Sequence, residues 1–472
     1  MVQKKTVITI KSKGKAPTEL SFSTNSFSYP LDFYVGYNVT MFKSLIQKRL
    51  ESYVKAYFLK HPEVKLVAVT GSVGKTSTKV AIATVLSEHF RVRLHNGNHN
   101  TEMSAPLAML GIEYPKNLRS INAWTAVFRA ARERVKNPTD VDVIIQELGS
   151  DRIGQVPHFG TYIHPDIGVV TAVSAEHMEF FHTIDVVAAE ELELANFSKQ
   201  ALINKDDIDG KYAKYITNAN INTYGTSASA EYYFISTDYT VQDGHGGLFY
   251  SPEFPNSFPA KIKVLGEHTL RPAIAGAAVA AKLGMDVSLI SSGLAKISPI
   301  PGRMNVLRGV KNSIIIDDTY NSSPLAAQSS LREIYQLSAS QRIVVFGDMN
   351  ELGETSQVEH ETLGKLCDPN QLTWVVTVGE QSEKFLAPAA KARGCQVKCF
   401  QNALLAGSFV RGIIEEGTVI LFKGSQGGIF LEEAVKVVLH SADDESRLVR
   451  QSSEWMVQKN KFFTKFSSAF TK

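Results

Sequence analysis

The run Thr70-Gly-Ser-Val-Gly-Lys-Thr-Ser77 constrains this chain more than any other stretch. The apolar residues Leu66 to Val69 read as a buried strand, a glycine-rich turn follows, and a helical pattern begins at about Lys75. Strand, turn and helix in that order form a phosphate cradle and the first unit of an α/β fold. Gly71 and Gly74 let the backbone turn sharply, so the N–H groups of Gly71, Ser72, Val73, Gly74 and Ser77 face an anion at a helix N-terminus. Lys75 can neutralise the β- and γ-phosphates, and the Thr76 hydroxyl can ligate the magnesium that accompanies them. The common G-x-x-x-x-G-K-[ST] pattern needs glycine at position 69, where this chain has Val69, so this is a shorter form. A glycine turn with an incidental lysine is the plainer alternative, which the register of strand, turn and helix disfavours.

A chain of 472 residues exceeds one hydrophobic core and implies two or three domains. The formal charge of +3 gives no reason to expect nucleic acid or an acidic membrane as partner. Three cysteines, Cys367, Cys395 and Cys399, make no disulfide framework or zinc site and fit a reducing compartment. No apolar run reaches the roughly 18 residues of a membrane span, and Met1-Val-Gln-Lys-Lys5 lacks an apolar signal core. The expectation is a cytoplasmic protein without stable membrane insertion, and a monomer.

Three regions follow along the chain. Residues 1–60 form a short N-terminal segment: residues 1 to about 40 read as hairpin-like, with β-prone runs Thr6 to Ile10 and Leu20 to Ser23, and a helix follows from about Met41 to Leu59. Residues 61–300 alternate strands and helices, as a mostly parallel sheet covered on both faces requires. Three of these strands end in polar residues: Glu147, then Ser174 and His177 beyond Val173, then Asn204. Ligands of open α/β sheets bind beyond the carboxyl ends of the strands, so Glu147, His177 and Asn204 are expected to face the nucleotide together. Between about 209 and 265 the texture becomes short and β-rich, which suggests an insertion or subdomain. Pro299-Ile-Pro-Gly-Arg-Met304 reads as a linker. Residues 301–472 form a second, Rossmann-like α/β domain, with strands ending in Asp317-Asp318, Gly347-Asp348 and Lys423. It has no phosphate loop, so it is expected to close on the first domain and contact substrate.

Ten motifs now stand in one order: Thr70 to Ser77, Gly97-Asn-His-Asn-Thr-Glu102, Glu147-Leu-Gly149, His177-Met-Glu179, Asn204-Lys-Asp-Asp207, Gly266-Glu-His268, Pro301-Gly-Arg-Met304, Asp317-Asp-Thr-Tyr-Asn-Ser-Ser-Pro324, Gly347-Asp-Met-Asn-Glu-Leu-Gly353 and Lys423-Gly-Ser425. In this order they resemble the ATP-dependent Mur ligases, and the Asp317 and Gly347 runs resemble the branch that adds D-alanyl-D-alanine. The resemblance implies ATP and magnesium as cofactors and an amide-forming reaction through an acyl phosphate. It implies small-molecule substrates, a uridine-diphosphate muramyl tripeptide and D-alanyl-D-alanine. By this likeness Lys75, His177 and Glu191 serve the chemistry, Thr76 and Glu147 hold the nucleotide magnesium, and His177 and Glu191 hold a second ion. Asn204 is implied at the adenine, Arg303 at the phosphates, Asp318 at the ribose, and His268 elsewhere in the nucleotide site. Asn98, Asn100, Thr101, Glu102, Tyr320, Asn321, Asp348 and Lys423 are implied at the other substrates.

Three departures qualify the likeness. Glu191 stands where family members usually carry a carbamylated lysine, and is read as a built-in carboxylate. The Gly-x-His-Asn-x-x-Asn pattern reads Gly266-Glu-His-Thr-Leu-Arg-Pro272 without either asparagine, and Gln426 stands where an arginine is usual. The roughly 60 residues before the first strand are fewer than the usual domain that grips the uridine-diphosphate carrier. D-alanyl-D-alanine addition is the leading expectation. The alternatives are a ligase of the same mechanism on a lipid-linked or polyglutamate-type carboxylate, and a nucleotide-binding regulator without catalysis.

Overall fold

Alternate residues along the first strand serve opposite cores: Val67 and Val69 pack on one face of the sheet, and Leu66 and Ala68 on the other. A strand with both faces buried in this way must lie between two helical layers. The computed structural model describes residues 32–95, 97 and 99–467. The two runs Thr6 to Ile10 and Leu20 to Ser23 lie outside the described residues. From Asp32 the backbone is helical as far as Lys60, so residues 32–40 belong to a helix and not to a hairpin. From Leu50 onward that helix buries Leu50, Val54 and Tyr57.

The first sheet has nine strands: β1 (Lys65–Thr70), β2 (Val92–Leu94), β3 (Val143–Glu147), β4 (Ile167–Val170), β5 (Gln200–Asn204), β6 (Ile221–Gly225), β7 (Tyr232–Thr240), β8 (Gly244–Tyr250) and β9 (Phe258–Ile262). Their order is β2-β3-β1-β4-β5-β6-β7-β8-β9, parallel as far as β7 and antiparallel from β7 to β9. The β-rich stretch is therefore not a separate insertion. Its strands extend the same sheet, because Tyr224, Tyr232, Phe234 and Phe249 are buried in the core that β1 begins.

The second sheet contains β10 (Asn305–Arg308), β11 (Ile314–Asp318), β12 (Arg342–Gly347), β13 (Trp374–Val378), β14 (Val397–Phe400) and β15 (Val419–Lys423). Its order is β10-β11-β15-β12-β13-β14, with only β10 antiparallel to its neighbour. It too has a core on each face, one holding Ile316, Val344 and Phe346 and the other Ile315, Ile343 and Val345. Residues 297–304, which join the two sheets, carry neither helix nor strand.

Behind the phosphate loop, helix Lys75–Leu86 packs against helices Leu270–Lys282 and Val287–Lys296. The approach is close because small residues face it. A Cβ added at Gly276 would lie 3.1 Å from the Ala81 carbonyl oxygen, and one at Gly293 would lie 2.7 Å from the Val85 Cα. Both contacts are with backbone, which cannot rotate away, and the second is the closer. Gly293→Ala is therefore expected to destabilise the fold by about 1–3 kcal/mol in denaturant unfolding; unchanged stability would show that this helix pair has slack.

Candidate active site

The phosphate loop is shaped by its neighbour strand. Gly71 has φ +130° and Gly74 φ +88°, and a Cβ at Gly71 would lie 2.7 Å from the Ala172 amide nitrogen, so glycine is required on both conformational and steric grounds. Thr171, just after β4, donates its hydroxyl to the carbonyls of Thr70 at 3.0 Å and Val73 at 2.6 Å. The Ser72 amide donates to the Ala172 carbonyl at 2.9 Å, and the Ser174 amide donates to Ser72 Oγ at 2.9 Å. The loop is thus fastened to the carboxyl end of β4 from both sides.

Lys75 opens the following helix and folds back over the loop, donating to the Gly71 carbonyl at 2.5 Å and meeting Glu176 at 3.3 Å. Burial opposes its charge, but Glu176, Glu191 and Glu147 outweigh that and hold its pKa above the usual lysine value. Glu147 ends β3 opposite Val69 and is buried. Its Oε2 accepts from Thr76 Oγ1 at 3.1 Å and pairs with Lys79 Nζ at 2.9 Å, while Oε1 accepts from Asn100 at 3.1 Å. Burial works against its charge, yet Lys79, Lys75 and the Thr76 hydrogen bond leave its pKa below the ordinary carboxylate value. Glu191 has the reverse outcome. Burial pushes its pKa up to about 7 against the pull of Lys75 and a 2.5 Å hydrogen bond from Thr70 Oγ1.

His177 lies at φ +49°, and its Nδ1 meets Glu351 of the second domain at 3.1 Å. Glu351 is itself at φ +65°, so both partners hold a conformation that non-glycine residues seldom adopt. Desolvation lowers the histidine pKa, but the bond to Glu351 and the charge of Glu176 leave it raised.

The two domains share a cavity of about 390 Å³ that runs from the phosphate loop to the ends of β11 and β15. From the second domain come Arg303, Asp318, Tyr320, Asn321 and Lys423. Lys423 is buried, paired with Asp318 at 2.9 Å, and donates to the Asn321 carbonyl at 2.7 Å. The Arg303 guanidinium lies 4.2 Å from the Tyr320 ring centroid, and its Nε is buried without a partner, as is Ser323 Oγ. A polar ligand in the cavity would satisfy both. Farther along, Asn204 also lines the cavity, but its amide is engaged with the Thr171 carbonyl at 2.6 Å and Asp207 at 2.9 Å. The polar groups beside it are Asp207 and Arg271, paired at 3.0 Å. An Arg–carboxylate pair presents a donor and an acceptor side by side, the pattern that a side-chain amide offers to an adenine edge.

Several expected residues stand elsewhere. The Asp348 carboxylate accepts from the backbone N–H groups of Gln381 at 3.2 Å and Ser382 at 2.7 Å, which fixes a chain turn, and it is buried and does not line the cavity. Glu102 also stands outside the lining and meets Gln155 at 3.3 Å. Asn98 lies outside the described residues. Sequence reasoning passed over Glu176, Lys79, Glu351 and Arg271, although Glu176 precedes His177 and Lys79 stands one helical turn after Lys75.

Among the described residues no three His, Cys, Asp or Glu side chains converge as a metal cage. Magnesium needs no such cage, since it favours one or two protein oxygens together with phosphates and water. Thr76 Oγ1 and Glu147 Oε2, 3.1 Å apart at the mouth of the loop, suit it.

His268 lines the same cavity, and burial lowers its pKa to about 4. The folded protein keeps this ring neutral where the unfolded chain takes up a proton below about pH 6.5, so stability present above that pH is lost as pH falls toward 4. His268→Gln is expected to lose less stability than the parent between pH 7.5 and 4.5, by roughly 1–2 kcal/mol in denaturant titrations. Equal losses would show that His268 is not the group responsible.

The two sheets match domains of known proteins. Residues 69–280 match the Mur ligase middle domain, and residues 302–426 match the Mur ligase glutamate ligase domain. The UDP-N-acetylmuramoyl-tripeptide--D-alanyl-D-alanine ligase of Bacillus subtilis is 26% identical over 398 residues, covering 83% of this chain and 79% of that one. Among solved structures, MurF from Acinetobacter baumannii superposes with a TM-score of 0.68 at 22% identity, covering 82% of this chain and 79% of that chain. The MurF ligase from Thermotoga maritima in complex with ADP gives 0.65 at 23% identity, covering 82% and 83%. With both sheets accounted for by matching domains, the chain belongs to the Mur ligase family.

Proposed function

We propose that this ligase joins D-alanyl-D-alanine to a uridine-diphosphate muramyl tripeptide, with ATP hydrolysed to ADP and phosphate. The observation that carries the reading is the single cavity in which Lys75, Glu147 and His177 of the first sheet face Arg303, Asp318 and Lys423 of the second. Similarity over 83% and 79% of the chain to the UDP-N-acetylmuramoyl-tripeptide--D-alanyl-D-alanine ligases of Bacillus subtilis and Escherichia coli supports the choice of substrates.

In the first step a carboxylate oxygen of the tripeptide attacks the γ-phosphorus of ATP, and the bond to the ADP oxygen breaks. In the second the amine of D-alanyl-D-alanine attacks the acyl carbon, phosphate leaves with the electron pair of its bond, and the nitrogen loses a proton. Both steps need charge neutralisation and alignment more than covalent help from the protein. The loop amides of residues 73–75 receive the β- and γ-phosphates, while the Ser72 amide stays bonded to the Ala172 carbonyl. Lys75, released from Glu176, meets the γ-phosphate, and Arg303 approaches from the opposite wall with its unpartnered Nε. Thr76 and Glu147 would hold the nucleotide magnesium and His177 with Glu191 a second ion, which would supply charge to the γ-phosphate oxygens and the attacking carboxylate. Asp318 would bind the ribose, and Asp207 with Arg271 the base. The His177–Glu351 contact holds the second domain against the first and keeps water from the acyl phosphate.

The decisive assay is phosphate release by the purified protein with magnesium and ATP, with each substrate alone and with both, followed by mass analysis. Release that requires both, with a pentapeptide product, is expected; release with neither, or none at all, would overturn the assignment. Lys75→Met is expected to lower kcat by about a hundred-fold or more, because it removes a preorganised charge at the transferring phosphoryl group. Glu191→Ala is expected to raise the magnesium concentration needed for half-maximal turnover. An unchanged magnesium titration would show that Glu191 does not stand in for the modified lysine.

A further inference from the structure

Lys79 has no place in the steps above, yet its ammonium is among the most enclosed in the molecule, with a side chain 5% exposed. It stands one helical turn beyond Lys75 and reaches two partners, Glu147 Oε2 at 2.9 Å and the Gly97 carbonyl at 2.9 Å. A desolvated ammonium is tolerated only when its partners replace water. Here one partner is the proposed magnesium ligand, and the other, Gly97, lies three residues before Asn100, which lines the cavity with Thr101. The same stretch is fastened to the end of β3 at three more points. Asn100 donates to Glu147 Oε1 at 3.1 Å, the Gly149 amide donates to the Asn100 carbonyl at 2.8 Å, and Gln146 donates to the His99 carbonyl at 2.8 Å. A Cβ on Gly149 would lie 2.8 Å from Asn100 Cγ, so the two segments touch without slack.

From this geometry we infer that Lys79 is a positioning residue that couples the cation state of Glu147 to the order of Gly97 and of residues 99–101, an inference that rests on the proposed role of Glu147. Before a divalent cation arrives, the Lys79 ammonium is the positive partner that keeps the buried Glu147 carboxylate charged and aimed at the mouth of the phosphate loop. Once a divalent cation shares that carboxylate, two positive groups compete for Oε2. Lys79 then shifts its hydrogen bonding toward the Gly97 carbonyl, and the loop tightens on the acceptor. No bond is made or broken covalently; one cation replaces another at a single oxygen.

The test is hydrogen–deuterium exchange of residues 97–103 in the full chain, with ADP alone and with ADP plus magnesium, together with the KM for the acceptor. In the parent protein magnesium is expected to slow exchange in this segment about five-fold or more, the lower end of ordinary coupling between sites. Lys79→Met is expected to abolish that response and to raise acceptor KM more than it lowers kcat, while its affinity for ADP without magnesium stays within about two-fold of the parent. Lys79→Arg, which keeps a charged donor, is expected to retain the response. A merely structural lysine would give faster exchange in Lys79→Met with and without magnesium while leaving the magnesium-dependent ratio intact, and that result would overturn the inference. So would a parent protein whose segment ignores magnesium although magnesium tightens ADP binding. If magnesium does not affect ADP binding in the parent, the role of Glu147 itself fails, and the coupling falls with it. Should Lys79→Met not fold, Lys79→Gln, uncharged and able to donate, carries the same comparison.

Discussion

A buried carboxylate at the end of β3 is the point on which the rest of the site depends. Glu147 lies opposite Val69 in the sheet, so its position follows from the strand register that also aims the phosphate loop. Left alone in that environment it would take up a proton or unfold its surroundings. Thr76, Lys79 and Asn100 prevent this, and each comes from a different piece of chain: the loop-to-helix turn, the helix itself and the 97–101 loop. One ionised group therefore draws together the phosphate loop, its helix and the segment that carries Asn100. The contrast with Glu191 is instructive. It is equally enclosed but has no cation at contact distance, so its carboxyl sits near pKa 7 while that of Glu147 is lowered.

The second domain contributes further charges to the cavity. Arg303 and Lys423 face a phosphate loop whose own lysine is surrounded by Glu176, Glu191 and Glu147. Opposite charges across a cavity favour closure, and the His177–Glu351 pair places that attraction beside the reacting groups. Both residues hold left-handed backbone conformations, so the contact exists only while the neighbouring turns are held in place.

Much of this was legible before any coordinates. Thr70 to Ser77 specified strand, turn and helix because glycine, lysine and threonine each have one physical task there, and the polar ends of β3 and β5 marked the ligand side of the sheet. The extension of that sheet through β6 to β9 was not legible. Short alternating strands look alike whether they form a subdomain or continue a sheet, and only the shared burial of Tyr224, Tyr232 and Phe249 distinguishes the cases. Of the residues named from the likeness to known ligases, Glu147 and His177 line the cavity, whereas Asp348 caps a backbone turn outside its lining. Lys79 and Arg271 escaped notice because their meaning lies in partners 68 and 65 residues away, Glu147 and Asp206. A single sequence carries no sign of such pairings.

The central claim is that a substrate carboxylate attacks ATP within this cavity. The most direct measurement supplies the tripeptide acceptor with ¹⁸O in the carboxyl group that becomes the amide, and analyses the phosphate released by mass spectrometry. Attack on the γ-phosphorus requires one labelled oxygen to leave with each phosphate, and that is the result expected. Unlabelled phosphate, with the oxygen lost from the carboxyl group appearing in water instead, would contradict the account.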